Sequence, residues 1–204
     1  MFYKLVFDMD RIDESIKEGI NTIYAETSNI DEIEYKGIKK GFFDNIILSE
    51  WDINDWPDVE FYYSSKASEL ESEYLLNAKS WPIIHKKVMQ KFNEEGIKGV
   101  EYYPIKLVDV VNKNINNSYV LMYVKNFIDG YDMQKSQYRF NEKYNFYTFI
   151  PHEIYLDEKK CSNYDIFRCT KNVAALYVSE KIKRIIEENE WIGFAFYKQK
   201  SNLV

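Results

Sequence analysis

The sequence predicts an α+β fold, a mainly antiparallel sheet packed by two or three helices, and three observations carry that reading. First, Ile84, Val88 and Phe92 recur every four residues behind Ser80, Trp81 and Pro82, with Gly96 beyond them. This is the pattern of an amphipathic helix with a serine N-cap, a proline in its first turn and a glycine stop. Second, strand-forming residues run from Gly99 to about Val111 and from Tyr119 to Lys125, and the Asn-rich stretch from Asn112 to Asn117 separates them. That arrangement reads as an antiparallel hairpin with a long loop. Third, the helix-then-strand phrase returns near the C-terminus. Lys87, Val88, Phe92, Gly99, Val100, Tyr102 and Tyr103 align without gaps with Lys181, Ile182, Ile186, Gly193, Phe194, Phe196 and Tyr197. In each copy a glycine would let the strand fold back along the helix's apolar stripe. The recurrence reads either as a pseudo-repeat or as ordinary reuse of a common unit.

The first third is less regular. Short apolar strands are expected at Phe2 to Phe7, Gly41 to Leu48 and Val59 to Tyr63, with a short helix from Asp13 to Glu18. This divides the chain into a strand-rich N-terminal subdomain, 1–78, and an α+β domain, 79–204. There is no Gly-rich phosphate loop and no regular strand-helix alternation, which argues against a doubly wound parallel sheet.

Of the 204 residues, 46% are hydrophobic and 17% aromatic, enough for one substantial core or two small ones sharing an interface. The formal net charge of -6 disfavours a nucleic-acid binder, which must neutralise phosphates. Cys161 and Cys169 are the only cysteines, too few for a disulfide framework or a four-cysteine zinc site, and their default reading is reduced and buried. The start, Met1 to Asp8, reads as a strand rather than a signal peptide, and apolar runs such as Val173 to Val178 are far shorter than the roughly 20 residues needed to span a bilayer. A cytosolic protein with no membrane partner is expected.

Catalytic signals are weak. An apolar strand delivers Asp8 and Asp10 in an Asp-x-Asp pair that resembles the first motif of haloacid-dehalogenase-type phosphatases, where the first aspartate attacks phosphorus and the second acts as acid and base. Arg11 and Ile12 do not suit the tight turn such enzymes need after the pair, so an acidic loop after a strand is the favoured reading. A metal-dependent phosphatase-like enzyme using Asp8 and Asp10 is kept as an alternative. His85 and His152 have no partner at helical ligand spacing, and Ser64, Ser65, Ser136 and Cys169 have no elbow-type glycine context. From Asp129 to Ser136 the sequence reads as a turn in which Asp132 or Ser136 caps neighbouring amides. No cofactor is implied.

The most unusual surface candidate is the stretch from Glu50 to Glu60, which sets Trp51 and Trp56 among Asp52, Asp55, Asp58 and Glu60 and contains no basic residue. Large aromatics anchor interfaces, and an acidic rim favours a basic partner. The alternative is that the two tryptophans plug the core while the carboxylates face water.

The order of features has a wider resemblance. Trp81-Pro82-Ile83-Ile84, a helix, Gly99 to Pro104, a hairpin strand, the Asp129 to Ser136 turn, Asp165 to Arg168, and Val178-Ser179-Glu180 leading through a helix to Gly193-Phe194-Ala195-Phe196 together resemble an immunity-protein family of bacterial polymorphic-toxin systems. That family was long catalogued as a domain of unknown function, and the resemblance covers roughly residues 79–198. It implies a cytoplasmic protein that binds a cognate toxin domain and occludes its active site or substrate groove, with no catalytic residues to carry over. A self-associating scaffold that pairs through sheet edges is the other non-enzymatic reading.

Overall fold

The computed structural model describes residues 1–18, 21–50, 53–65 and 69–201. Strands dominate: among the described residues there are twenty strands against four α-helices. Nine of the strands have only two residues, so the pairing is divided among several small sheets. The elements used below are β1 (Phe2–Phe7), α1 (Met9–Lys17), β2 (Glu60–Tyr63), β3 (Ile83–His85), α2 (Lys86–Glu94), β4 (Val100–Pro104), β5 (Lys106–Asp109) and β6 (Tyr119–Val124). They continue with β7 (Tyr138–Asn141), β8 (Phe146–Phe149), β9 (Ile166–Cys169), β10 (Asn172–Ser179), α3 (Glu180–Glu188) and β11 (Phe194–Lys198).

The expected single sheet packed by helices is corrected to a mainly β architecture of stacked sheets. The physical reason lies in where the apolar residues point. β6 is buried along its whole length, and its alternate side chains enter two different cores. Tyr119, Leu121 and Tyr123 join a first core built largely from the N-terminal third, while Val120, Met122 and Val124 join a second. The same alternation recurs farther along: Ile166, Leu176 and Val178 face the second core, whereas Phe167, Cys169 and Tyr177 face a third. Strands with period-two burial on both faces must be covered by something on each side. Here α2 and α3, contributing Val88 and Phe92 and Ile182, Ile185 and Ile186, fill the second core between two sheets. Nine residues make too short a stripe for either helix to cover a sheet alone.

One sheet has the order β3-β6-β4, and another runs from the two-residue strand Phe127–Ile128 through β9, β10 and β1 to β11. In the first, α2 connects β3 to β4 and the antiparallel β6 lies between them. In the second, α3 connects β10 to β11 and the antiparallel β1 lies between them. These are two split strand-helix-strand units of the same connectivity. The first strand of the 1–78 segment, β1, is held between β10 and β11 of the C-terminal part.

Local corrections follow the same logic. Ser80 is not a helix cap, and Trp81-Pro82 is not a first helical turn. Ile83 and Ile84 pair with Leu121 and Val120 of β6, and α2 starts only at Lys86, where the ring of His85 accepts the Lys87 amide at 3.1 Å. Residues before proline avoid the helical region, and β-branched residues fit a buried ladder, so sheet pairing wins over the proline signal. The strand expected from Gly41 to Leu48 is a 3-10 helix over Phe43–Leu48 whose buried residues, Phe43, Ile46 and Ile47, follow a helical spacing. The long strand expected up to Val111 is broken at Ile105. β4 pairs with β6 as a hairpin partner, while β5 leaves to run parallel to β2 in a third sheet.

Candidate interaction surface

Of the acidic tryptophan segment, Trp51 and Asp52 lie outside the described residues. Trp56 is half-buried: its ring stacks on Tyr103 at 4.6 Å, approaches Phe43 and Trp81, and its indole N–H donates to the Pro104 carbonyl at 2.8 Å. It closes the side of the first core. Asp55 projects with 89% of its side chain exposed and pairs with Lys36 at 3.1 Å. Asp58 pairs with Lys106, and Glu60 accepts the Tyr62 hydroxyl at 2.7 Å and lies 3.6 Å from the same lysine. Each of these carboxylates thus has a partner within the chain, which reduces the field it offers to an outside partner.

A different surface presents unused apolar area. β7 and β8 form a hairpin that pairs with no other strand among the described residues. Its register sets Tyr138 opposite Phe149 and Phe140 opposite Tyr147, so four rings share one face. The rings touch in sequence, Phe140 to Tyr147 at 4.6 Å, Tyr147 to Tyr138 at 5.5 Å and Tyr138 to Phe149 at 5.9 Å. Phe149 then rests on the buried Tyr131 at 4.4 Å, anchoring this ladder to the third core. Such cross-strand aromatic pairs hold a hairpin that a two-stranded ladder alone would leave marginal. The tip is closed by the Asn141 side chain, which accepts the Tyr144 amide, and by left-handed Asn145.

What the ladder does not cover is exposed. Phe140, Tyr144 and Phe146 are 43%, 68% and 58% exposed, and Ile150 follows at 40%. Phe140 lies on the ladder face, whereas Phe146, opposite Asn141, projects from the other, so the hairpin exposes rings on both faces. Several large apolar side chains on one short element mark contact sites more often than single exposed ones do. The charge also differs from that of the whole chain: residues 134–152 carry Lys135, Arg139 and Lys143 against Glu142 alone, in a protein of net charge -6. The base is firm, because Asp132 accepts the amides of Gln134 and Lys135, and Ser136 exchanges hydrogen bonds with the backbone of Tyr155. The capping expected of the Asp129 to Ser136 turn is therefore present, and its use is to root the hairpin.

The other candidate groups are not brought together. Asp10 stands in the first turn of α1, and the Asp8 amide donates to the Gly193 carbonyl at 3.0 Å. Among the described residues no group of three or more His, Cys, Asp or Glu could hold a metal ion. His152 is an exposed turn residue in left-handed conformation. Cys161 and Cys169 are free thiols, fully buried, and burial pushes both up to about 12, so neither is a ready nucleophile.

A family model described as an immunity protein family, Imm11, matches residues 2–201. The chain belongs to this immunity protein family. The match extends the resemblance seen over residues 79–198 through the N-terminal third to β1, in agreement with the place of β1 inside the C-terminal sheet. No curated protein matches the chain. No helix among the described residues is long and apolar enough to cross a membrane. For an immunity protein the surface of interest is one that can hold another protein, and sequence reasoning missed the hairpin. Its signal was available: Tyr138 and Phe140, then Tyr147 and Phe149, alternate with polar residues at period two around an Asn-rich turn.

Proposed function

We propose that this immunity protein acts in the cytosol of a toxin-producing bacterium by binding a cognate toxin domain and covering its active site or substrate groove. In this reading the β7-β8 hairpin is the principal grip. The observation that carries it is the set of exposed rings at Phe140, Tyr144 and Phe146 on a hairpin rooted in the core through Phe149 and Tyr131. Rigid aromatic side chains bury large area at low entropic cost, which is the character of interface hot spots. Arg139 and Lys143 flank the rings, so the patch that receives the tip is apolar with an acidic rim. The acidic segment at Asp55 and Asp58 is a second contact, suited to a basic patch elsewhere on the same toxin.

The test is co-expression of the protein with the toxin domain encoded beside it, read as survival of the host and as affinity of the purified pair. The combined variant Phe140→Ala, Tyr144→Ala and Phe146→Ala should lose about 100-fold or more in affinity and abolish protection, because truncating a few aromatic anchors removes most of the energy of an interface. Its melting temperature should fall by only a few degrees, since Tyr144 and Phe146 are mostly exposed and Phe140 gives up one cross-strand pair with Tyr147. Lysine at Asp52, Asp55 and Asp58 should cost about 10-fold at most, by the modest energies of rim charges. Full protection by the triple alanine variant would remove the hairpin from the interface.

A further inference from the structure

A second feature lies on the opposite face of the five-stranded sheet from the third core. Arg168 of β9 occupies an inward position among Ile166, Leu176 and Val178, where the period-two pattern calls for an apolar residue, and it is 3% exposed. Both hydrogen bonds of its side chain leave from Nη1, to the carbonyls of Val173 at 2.7 Å and Ala174 at 3.2 Å. Its Nε has no partner, and no ion pair among the described residues includes it. A buried guanidinium without an anion is costly, because desolvation of the charge is unmatched by any Coulombic return.

The same arginine lines a cavity of about 290 Å³, partly open to solvent, between this sheet and the segment Tyr74 to Pro82. Leu5, Phe7, Leu75 and Leu176 make much of the wall, and the exposed residues Lys4 and Ser80 place part of the lining at the surface. Tyr74 is buried against Phe194 and Phe7, and its hydroxyl makes no hydrogen bond to any described residue. The wall opposite the sheet is fixed by Asn77, which accepts the Trp81 amide and donates to the carbonyls of Leu75 and Trp81. The cavity therefore has a largely apolar body, one buried unpaired cation at Arg168, a second, exposed cation at Lys4 and one free hydroxyl donor. Burial pushes the Tyr74 hydroxyl up to about 12, so it stays protonated and able to donate.

We propose that this cavity is a binding site for a small organic carboxylate, with Arg168 pairing the carboxyl group, Tyr74 donating to it and the apolar body of the ligand lying against Leu5, Phe7 and Leu176. One buried cation in a largely apolar chamber at the small end of ligand pockets, with Lys4 exposed at its edge, suits an acid whose compact hydrocarbon part fills the chamber, and suits inorganic phosphate, which has no apolar part, less well. The site is separate from the hairpin and does not depend on the toxin-binding reading.

Thermal unfolding of the full chain with benzoate, benzamide or inorganic phosphate tests it. Benzoate at about 10 mM should raise the melting temperature by about 3 °C, the shift expected of a millimolar ligand on a protein of this size, while benzamide and phosphate leave it unchanged. Arg168→Met should fold without benzoate, because an apolar replacement suits the buried position, and should no longer respond to it. Tyr74→Phe, which removes only the hydroxyl, should weaken benzoate about five-fold and serves where the arginine variant does not fold. No shift with benzoate, an equal shift with benzamide, a larger one with phosphate, or an undiminished benzoate response in either variant would overturn the proposal.

Discussion

Residues 83–104 and 177–198 trace one backbone pattern without an insertion, and comparing the two shows which parts of it are local and which are imposed. His85 and Ser179 are the N-caps of α2 and α3, Glu95 and Asn189 their C-caps, and β4 and β11 begin one residue after Gly99 and Gly193. Gly96 and Glu190 both lie at positive φ, 70° and 54°, and Gly99 and Gly193 do so again at 79° and 92°. Helix, left-handed exit and returning strand are thus written in the same few positions. The surroundings differ. The central strand of the first unit, β6, is buried on both faces, whereas the central strand of the second, β1, has an exposed Lys4 and a cavity beside Leu5. Local sequence sets the path of each unit, and the neighbours decide how much each position tolerates.

The largest effect should come from the equivalent pair Phe92 and Ile186, which are 2% and 1% exposed and meet in the same second core. Phe92→Ala should cost about 4 kcal/mol and Ile186→Ala about 3 kcal/mol in urea unfolding, the usual range for large-to-small core changes. A cost below about 1 kcal/mol for one and a normal cost for the other would show that the two helices do not share a core.

The glycines separate the units more sharply. A Cβ on Gly193 would stand 2.5 Å from the Tyr74 carbonyl, a backbone atom that cannot swing away, and the position also has φ +92°. On Gly99 the obstacle is the Asn126 side chain, whose amide can rotate, although it would give up its bond to the Ile166 carbonyl. Gly193→Ala is expected to cost about 3 kcal/mol and Gly99→Ala about 1 kcal/mol. Equal costs would mean that left-handed strain dominates at both and that the contacts do not matter.

These positions also show what a single sequence reveals. Phe92, Gly99, Ile186 and Gly193 were recognisable because helix period and glycine exits are local properties. The strands were legible as strands, but the division into several sheets was not. Tyr119, Leu121 and Tyr123 look like one face of any strand until the N-terminal third is known to cover them. Ser80, Trp81 and Pro82 misled because pairing of Ile83 and Ile84 with β6 is a long-range event. Of the candidate surface, Trp56 was noticed for its composition, yet its stack on Tyr103 depends on residues far along the chain. The hairpin rings were equally visible in the sequence, but an apolar alternation does not say whether a sheet will cover it.

The caps give the smallest effect and the one that distinguishes the units by pH. Ser179→Ala should cost about 1 kcal/mol, the usual worth of a serine cap, and also removes the hydroxyl's hydrogen bond to the Asp165 carboxylate at 2.7 Å. His85 accepts the Lys87 amide through Nδ1, and a proton on that nitrogen removes the acceptor. Burial, reinforced by the charge of Lys87, lowers the His85 pKa below its ordinary 6.5. In acid the unfolded chain therefore takes up the proton first, so the stabilisation is fully present above pH 6.5, declines as pH falls below it, and ceases to change once the folded form is also protonated. His85→Ser places in the first unit the cap used by the second. Urea midpoints measured between neutral and mildly acidic pH should fall in the parent and flatten in the variant over that window. An unchanged slope would assign the acid sensitivity to other groups and leave the two caps equivalent.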